Sequence, residues 1–212
     1  MQTEVEAKFV ASDPATLETL AAMPTLGQAT LGPMRRVSEI DRYLDTADRR
    51  LAQRRWACRL RSRDGAWRVS LKGPPVAGSG GALHRRPEVE GLATGAIDPR
   101  DWPRGRARTL LEALSDGEEL IEVVVLDQLR GERSARVDGQ TVATLSLDEV
   151  RVRRAGGGEY LAHLRIVELE ALPDASGKAF DALAEALAAI GGLVPEPQTK
   201  LERALDLLGG DA

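Results

Sequence analysis

The sequence predicts an α+β fold organised around a large antiparallel sheet or barrel, and three observations carry that prediction. Runs of alternating apolar and charged residues recur along the chain, with the period of a half-buried strand. Turn chemistry such as Asp64-Gly65 separates neighbouring runs. Segments with helical spacing fall between the runs and at the C-terminal end. At 212 residues and 42% hydrophobic content the chain can build a substantial core, and no linker or internal repeat divides it. Residues 1–212 are therefore read as a single domain.

The first run, "EVEAK" over residues 4–8, places Glu4, Glu6 and Lys8 on one face of a strand. "SDPATLETLAAM" follows, with Ser12 or Asp13 as the N-cap of a short helix and Pro14 in its first turn. From about 36 to 46, "RVSEIDRYLDT" alternates loosely, and "ADRRLAQRRW" reads as a helical turn or loop. "WACRLRSRDGAWRVSLKG" is two strands joined at Asp64-Gly65. "PPVAGSGG" is a turn or mobile loop before the strand "ALHRRPEVEG", and residues 104–116 read as a helix. Three more alternating runs are "LIEVVVLDQLRGERSARVD", "TVATLSLDEVRVRR" and "YLAHLRIVELEAL"; Gly139-Gln140 separates the first two and "AGGGE" precedes the third. Helices from about Ser176 to Ile190 and from Thr199 to Leu208 close the chain.

The 29 Lys plus Arg against 33 Asp plus Glu leave a net charge of −4, so no bulk attraction to nucleic acid or membrane is expected. Only Lys8, Lys72, Lys178 and Lys200 are lysines, so arginine supplies nearly all the positive charge. The longest apolar stretch, "AFDALAEALAAIGGLV", is interrupted by Asp181 and Glu185 and is too short to span a bilayer. Charge begins at Glu4 with no apolar run behind a basic start, which argues against a secretory signal. Cys58 is alone, which excludes an internal disulfide and a cysteine-rich metal site, and a reducing, cytoplasmic address is expected. None of these features fixes an oligomeric state.

The charged faces carry the chemistry. Arg59, Arg61 and Arg63 share one side of their strand; Arg68, Ser70 and Lys72 share one side of the next. Arg86, Glu88 and Glu90 are in phase, as are Ser146 with Asp148 and Glu168 with Glu170. On any single strand, such a run is usually a solvated face. Here the signs are segregated, although like neighbours cost stability, and that argues for a shared cavity holding a metal polyphosphate. Carboxylate oxygens suit Mg2+ or Mn2+, and guanidinium forks match phosphate oxygens. His84 and His163 lack a partner at metal spacing, "AGSGGA" lacks the Lys-Ser/Thr ending of a P-loop, and no Ser/His pairing supports covalent catalysis.

"EVEAK" resembles the E-x-E-x-K signature of the CYTH family, also called triphosphate tunnel metalloenzymes. "YLDT", "RLRSR", "SLKGP", "HRRPEVE", "ELE" and "TKLERAL" follow in that family's order, from residue 4 to about residue 208. The resemblance implies an eight-stranded antiparallel barrel forming a tunnel, with helices packed outside. It implies metal carboxylates at Glu4, Glu6, Asp148, Glu168 and Glu170, and Mg2+ or Mn2+ as cofactor. Lys8, Arg59, Arg61, Lys72 and an arginine of "RGER" would hold phosphates, with Lys200 on the last helix completing the clamp. Within that run Arg133 is preferred over Arg130, because it starts the alternation toward Asp138; a bulge would reverse the choice. Arg86 with Glu88 resembles the family's R-x-E element supporting the clamp, while Tyr43 and Asp45 are read as structural.

The activity implied is metal-assisted hydrolysis of a small-molecule triphosphate, with Glu4, Glu6, Lys8, Arg59, Arg61, Lys72 and Lys200 as its catalytic set. Aromatic content of only 3% leaves little to stack an organic ring, which favours inorganic triphosphate. Trp56, Trp67 and Trp102 keep thiamine triphosphate open. The resemblance is also compatible with an adenylate cyclase and with a non-catalytic polyphosphate-binding module.

Overall fold

The computed structural model describes residues 2–209. Eleven strands run β1 (Gln2–Ala11), β2 (Thr25–Leu26), β3 (Ala29–Leu31), β4 (Arg35–Thr46), β5 (Ala57–Arg63), β6 (Ala66–Lys72), β7 (Leu83–Ala93), β8 (Leu120–Val137), β9 (Gln140–Arg154), β10 (Tyr160–Ala171) and β11 (Leu193–Pro195). Five helices are interspersed: α1 (Pro14–Ala22), α2 (Arg50–Gln53), α3 (Arg106–Ser115), α4 (Gly177–Ala188) and α5 (Lys200–Gly209). The sheet order β8-β4-β5-β6-β7-β1-β10-β9 closes on itself through β8–β9 pairing, giving an eight-stranded antiparallel barrel. The β2–β3 hairpin extends from β8, and β11 adds to the end of β1.

Closure follows from the alternation. A strand with one apolar and one charged face must cover the apolar side, and here helices do so from outside while the charged side turns inward. Ala7 and Phe9 of β1, Leu145 and Leu147 of β9, and Val167 and Leu169 of β10 pack against Leu17 and Leu20 of α1 and Phe180, Leu183 and Leu187 of α4. On another side, Cys58 and Leu60 of β5 and Val69 and Leu71 of β6 meet Leu51 of α2, Ala107, Leu111 and Leu114 of α3, and Trp102. Each such Leu or Phe contributes about 1.5–3 kcal/mol by leaving water.

Local signals set the joints. Asp13 caps α1 by accepting from the Thr16 amide at 2.8 Å, and Pro14 occupies the first turn. The β5–β6 turn has positive φ at both Asp64 and Gly65, as its sequence predicts. The β8–β9 turn lies one residue earlier than expected, at Asp138-Gly139, with Val137 paired to Gln140. Both turn positions require φ > 0, which Asp and Gly adopt more readily than Gln. Asp45 accepts from the amides of Thr46, Leu51 and Ala52, tying the end of β4 to α2, which is the structural role its position implied.

Helix α5 lies across one end of the barrel. There Ala204, with Leu201, Leu207 and Leu208, meets inward-phase apolar residues of four strands: Tyr43, Val124 and Leu126, Val150 and Val152, and Leu164 and Ile166. The barrel interior is therefore apolar under α5 and charged beyond it. Among the described residues, no helix is long and apolar enough to cross a membrane.

Candidate active site

The charged part of the lumen is a cavity of about 590 Å³, lined by residues from every barrel strand and by Thr199, Lys200 and Leu201 of the α5 end. β1 contributes Glu4, Glu6 and Lys8; β5 contributes Arg59, Arg61 and Arg63; Lys72, Arg86, Arg130, Glu168 and Glu170 come from β6, β7, β8 and β10. Register brings the outer strands of the sequence together, with Glu6 opposite Glu170 and Lys8 opposite Glu168. Gln2, Thr3, Leu172 and Pro173 line the end remote from α5.

Most of these charges are paired. Lys72 Nζ donates to Glu4 Oε1 at 2.5 Å, and Arg86 reaches Glu4 at 2.9 Å and Glu6 at 3.0 Å. Lys8 Nζ donates to Glu6 at 3.0 Å and lies 3.7 Å from Glu168. Burial alone would raise the Glu6 carboxyl, but Lys8, Arg86 and Lys72 outweigh it and hold the group well below the usual range. Arg63 grips Glu132 with both Nη atoms, at 2.7 and 2.5 Å.

Behind this wall lies a second layer that does not line the cavity. Asp41, fully buried, accepts from Arg61 Nε at 2.6 Å and Nη2 at 2.7 Å; Glu39 lies 3.0 Å from Arg61 Nη1. Asp148, also fully buried, accepts from Arg130 at 2.8 and 2.6 Å and from Lys200 Nζ at 2.5 Å. These acids hold the clamp cations from behind and leave their outer faces toward the cavity.

Two lining groups are less engaged. Glu170 belongs to none of these pairs; burial, with Glu4, Glu6 and Glu168 nearby, pushes its carboxyl up to about 7 against the pull of Lys72. The nearest carboxylate to Arg59 is Asp41 at 3.8 Å, and Ser70 Oγ lies 3.3 Å from its Nη2, while its buried Nε has no partner among the described residues. The lumen thus holds one carboxylate, Glu170, without an ion-pair partner among the described residues, and one arginine, Arg59, with a donor to offer.

The donor set has the chemistry of a hard divalent-cation site. Glu4, Glu6, Glu168 and Glu170 supply oxygen ligands, and a cation among them would offset the burial and the neighbouring carboxylates that raise the Glu170 carboxyl. Their arrangement is that of ion pairs, and among the described residues no three acidic, His or Cys side chains converge as a ligand cluster.

Of the residues expected from sequence, Glu4, Glu6, Lys8, Arg59, Arg61, Lys72, Arg86, Glu168, Glu170 and Lys200 all line the one cavity. Asp148 does not; it sits beneath Arg130 and Lys200. Arg133 is a correction. It points away from the lumen and donates to the carbonyls of Leu20, Ala21 and Met23 at the end of α1, and of Leu31 and Gly32. Arg130 takes the lumen position, because β8 has its extra residue earlier, at Val123 against β4, and runs without interruption from Val124 to Ala135, leaving Gln128, Arg130 and Glu132 in phase; the later slip is an extra residue on β9, Val142. Sequence reading also missed Glu39, Asp41 and Gln128. The i, i+2 spacing of Glu39, Asp41 and Tyr43 within "SEIDRY" was the available signal for the first two.

Comparison with known proteins bears on the fold and the family. No curated protein matches the chain. HpAC1 from Hippeastrum superposes with a TM-score of 0.71 at 19% identity, covering 96% of this chain and 95% of its own. The bh2851 protein from Bacillus halodurans gives 0.62 at 19% identity, covering 96% and 98%. PH1819 from Pyrococcus horikoshii gives 0.57 at 18% identity, covering 95% and 98%. At such identities the likeness establishes the fold. The family model for the CYTH domain matches residues 2–205, nearly the whole barrel with its flanking helices, and the chain belongs to the CYTH domain family.

Proposed function

We propose that this chain acts as a single domain that hydrolyses inorganic triphosphate to pyrophosphate and phosphate with Mg2+ or Mn2+. The observation that carries the reading is one cavity into which Lys8, Arg59, Arg61, Lys72, Arg86, Arg130 and Lys200 all open beside a carboxylate-rich wall. Family membership supports it, and HpAC1 is described as having a dominant triphosphatase activity.

Glu4, Glu6, Glu168 and Glu170 would hold the cation, which when bound neutralises phosphate oxygens and activates water. The chain's own cations bind the phosphates: Arg59 offers a guanidinium with free donors, and Arg61, Arg130 and Lys200 are fixed from behind by Asp41 and Asp148. Fixing them in advance lowers the reorganisation needed as charge moves toward the leaving oxygen. No side-chain nucleophile is needed, since positioned water can attack in line.

The lining supports an inorganic substrate. Tyr43 is the aromatic residue on the cavity wall, whereas Trp102 is buried in the outer core and Trp56 and Trp67 pack against that same core. A thiamine or adenine ring would find no indole to stack on. The test is to incubate the protein with tripolyphosphate, ATP and thiamine triphosphate under each metal and resolve phosphate, pyrophosphate and cyclic AMP. Phosphate release chiefly from tripolyphosphate is expected; cyclic AMP from ATP, or binding without turnover, refutes the proposal.

A further inference from the structure

Behind the cavity wall, one neutral side chain joins the two groups of buried ions. Gln128 of β8 is only 4% exposed and does not line the cavity. Its Nε2 donates to Asp41 Oδ2 at 2.7 Å, on the carboxylate that fixes Arg61. Its Oε1 accepts from Lys200 Nζ at 3.3 Å. Lys200 also donates to Asp148 at 2.5 Å and Glu168 at 2.9 Å, so its three protons have three acceptors.

A carboxamide suits this place for a physical reason. Its N–H end favours a carboxylate and its carbonyl end favours an ammonium, so both neighbours see the matching dipole. A carboxylate at 128 would repel Asp41, and an alkyl group would remove both contacts. Lys200 is also the first residue of α5, so whatever places its ammonium places the start of that helix.

We infer that Gln128 is a positioning residue that sets Lys200 and α5 in register with the Asp41–Arg61 part of the clamp, so that both reach one phosphate chain. This rests on the reading that the cavity takes a triphosphate. Gln128 touches no substrate, and its effect on phosphate binding passes through Lys200.

A double-mutant cycle on the full chain tests this, with tripolyphosphate binding measured by titration calorimetry in metal-free buffer. Gln128→Met should weaken binding about tenfold in the wild-type background and under about twofold when Lys200→Met is already present. Equal loss in both backgrounds, or no loss in either, overturns the inference, because a purely structural residue would not have its effect erased at Lys200. If Gln128→Met does not fold, Gln128→Leu serves in the same cycle. Turnover is assayed separately with Mg2+ and Mn2+. A wild-type protein that binds tripolyphosphate without cleaving it defeats the hydrolase reading and leaves the cycle to decide this one; absence of binding in metal-free buffer overturns this inference, and absence of binding and turnover with metal as well defeats both.

Discussion

Arg59 and Arg61 point from the same face of β5, yet their surroundings differ, and replacing each by Met should separate binding from folding. Arg61 holds Asp41 bidentately at 2.6 and 2.7 Å and lies 3.0 Å from Glu39, and both acids are essentially out of water. Removing it leaves buried carboxylates without their main partner, a loss of about 3–5 kcal/mol. For a chain of this size that corresponds to a fall in Tm of roughly 10 °C. Arg59 approaches Asp41 only to 3.8 Å, and Asp41 keeps Arg61 and Gln128 when Arg59 is gone. Its loss should therefore cost less stability than that of Arg61. In catalysis Arg59 is not spared: loss of one charge-stabilising donor lowers kcat by about 10²–10³. Thermal unfolding together with phosphate release from tripolyphosphate reads both effects. Equal Tm losses in the two variants, or full kcat/KM in Arg59→Met, would refute the assignment of Arg59 as a phosphate ligand with free donors and Arg61 as one that also holds the fold.

Three further outcomes are expected. Arg133→Ala should destabilise the fold by about 2–4 kcal/mol, because several buried carbonyls around α1 lose their donor, while kcat/KM of the folded protein stays unchanged; reduced kcat/KM at full stability would restore Arg133 to the site. The folded Glu170 carboxyl sits at about 7 against an ordinary value of 4.5, so between those pH values the folded chain binds a proton that the unfolded chain has released. Stability then falls as pH rises through this window. In metal-free buffer, Glu170→Gln should raise Tm at pH 8 and leave it unchanged at pH 4, and an equal shift at both pH values would contradict a carboxyl raised by burial and its neighbouring carboxylates. Finally, Mg2+ or Mn2+ at a hundred times its Kd should stabilise the protein by about 2.7 kcal/mol. Glu4→Gln should reduce that stabilisation, as followed by thermal unfolding, and EDTA should abolish phosphate release.

The fold was legible wherever one strand face was apolar and the other charged, since that alternation alone sends Glu4, Glu6 and Lys8 inward and Ala7 and Phe9 outward. The lumen-facing set was legible for the same reason. Arg130 against Arg133 was not, because the phase of a long strand depends on where its bulge falls, and the β8 bulge at Val123 is set by pairing with β4 rather than by local composition. The short β2, β3 and β11 escaped notice because runs of two or three residues carry no period. Gln128 was invisible for another reason: a lone amide among apolar neighbours in "VVVLDQLR" gains meaning only when Asp41 and Lys200, distant in sequence, converge on it.

The two layers of acid in the barrel have different consequences for binding. Asp41 and Asp148 lie behind the cations they hold, so a phosphate approaching from the lumen leaves those pairs in place, although at Arg130 and Lys200 it meets Glu168 of the wall, 2.9 Å from each. Glu4 and Glu6 lie in front, on the cavity wall, where they occupy Lys72, Arg86 and Lys8 themselves. A phosphate competing for those three cations must either break the ion pairs or arrive with something that neutralises the carboxylates. On the proposed reading a divalent cation on Glu4 and Glu6 does the second, and Lys72 and Arg86 become available to phosphate as it binds. Metal and tripolyphosphate should therefore bind with positive coupling, each raising the affinity of the other by the same factor. Titration calorimetry of tripolyphosphate at several Mg2+ concentrations measures that factor. It should fall toward one in Glu4→Gln, where the front carboxylate no longer holds Lys72 in reserve; an unchanged coupling there would mean that the front layer is not where metal and phosphate meet.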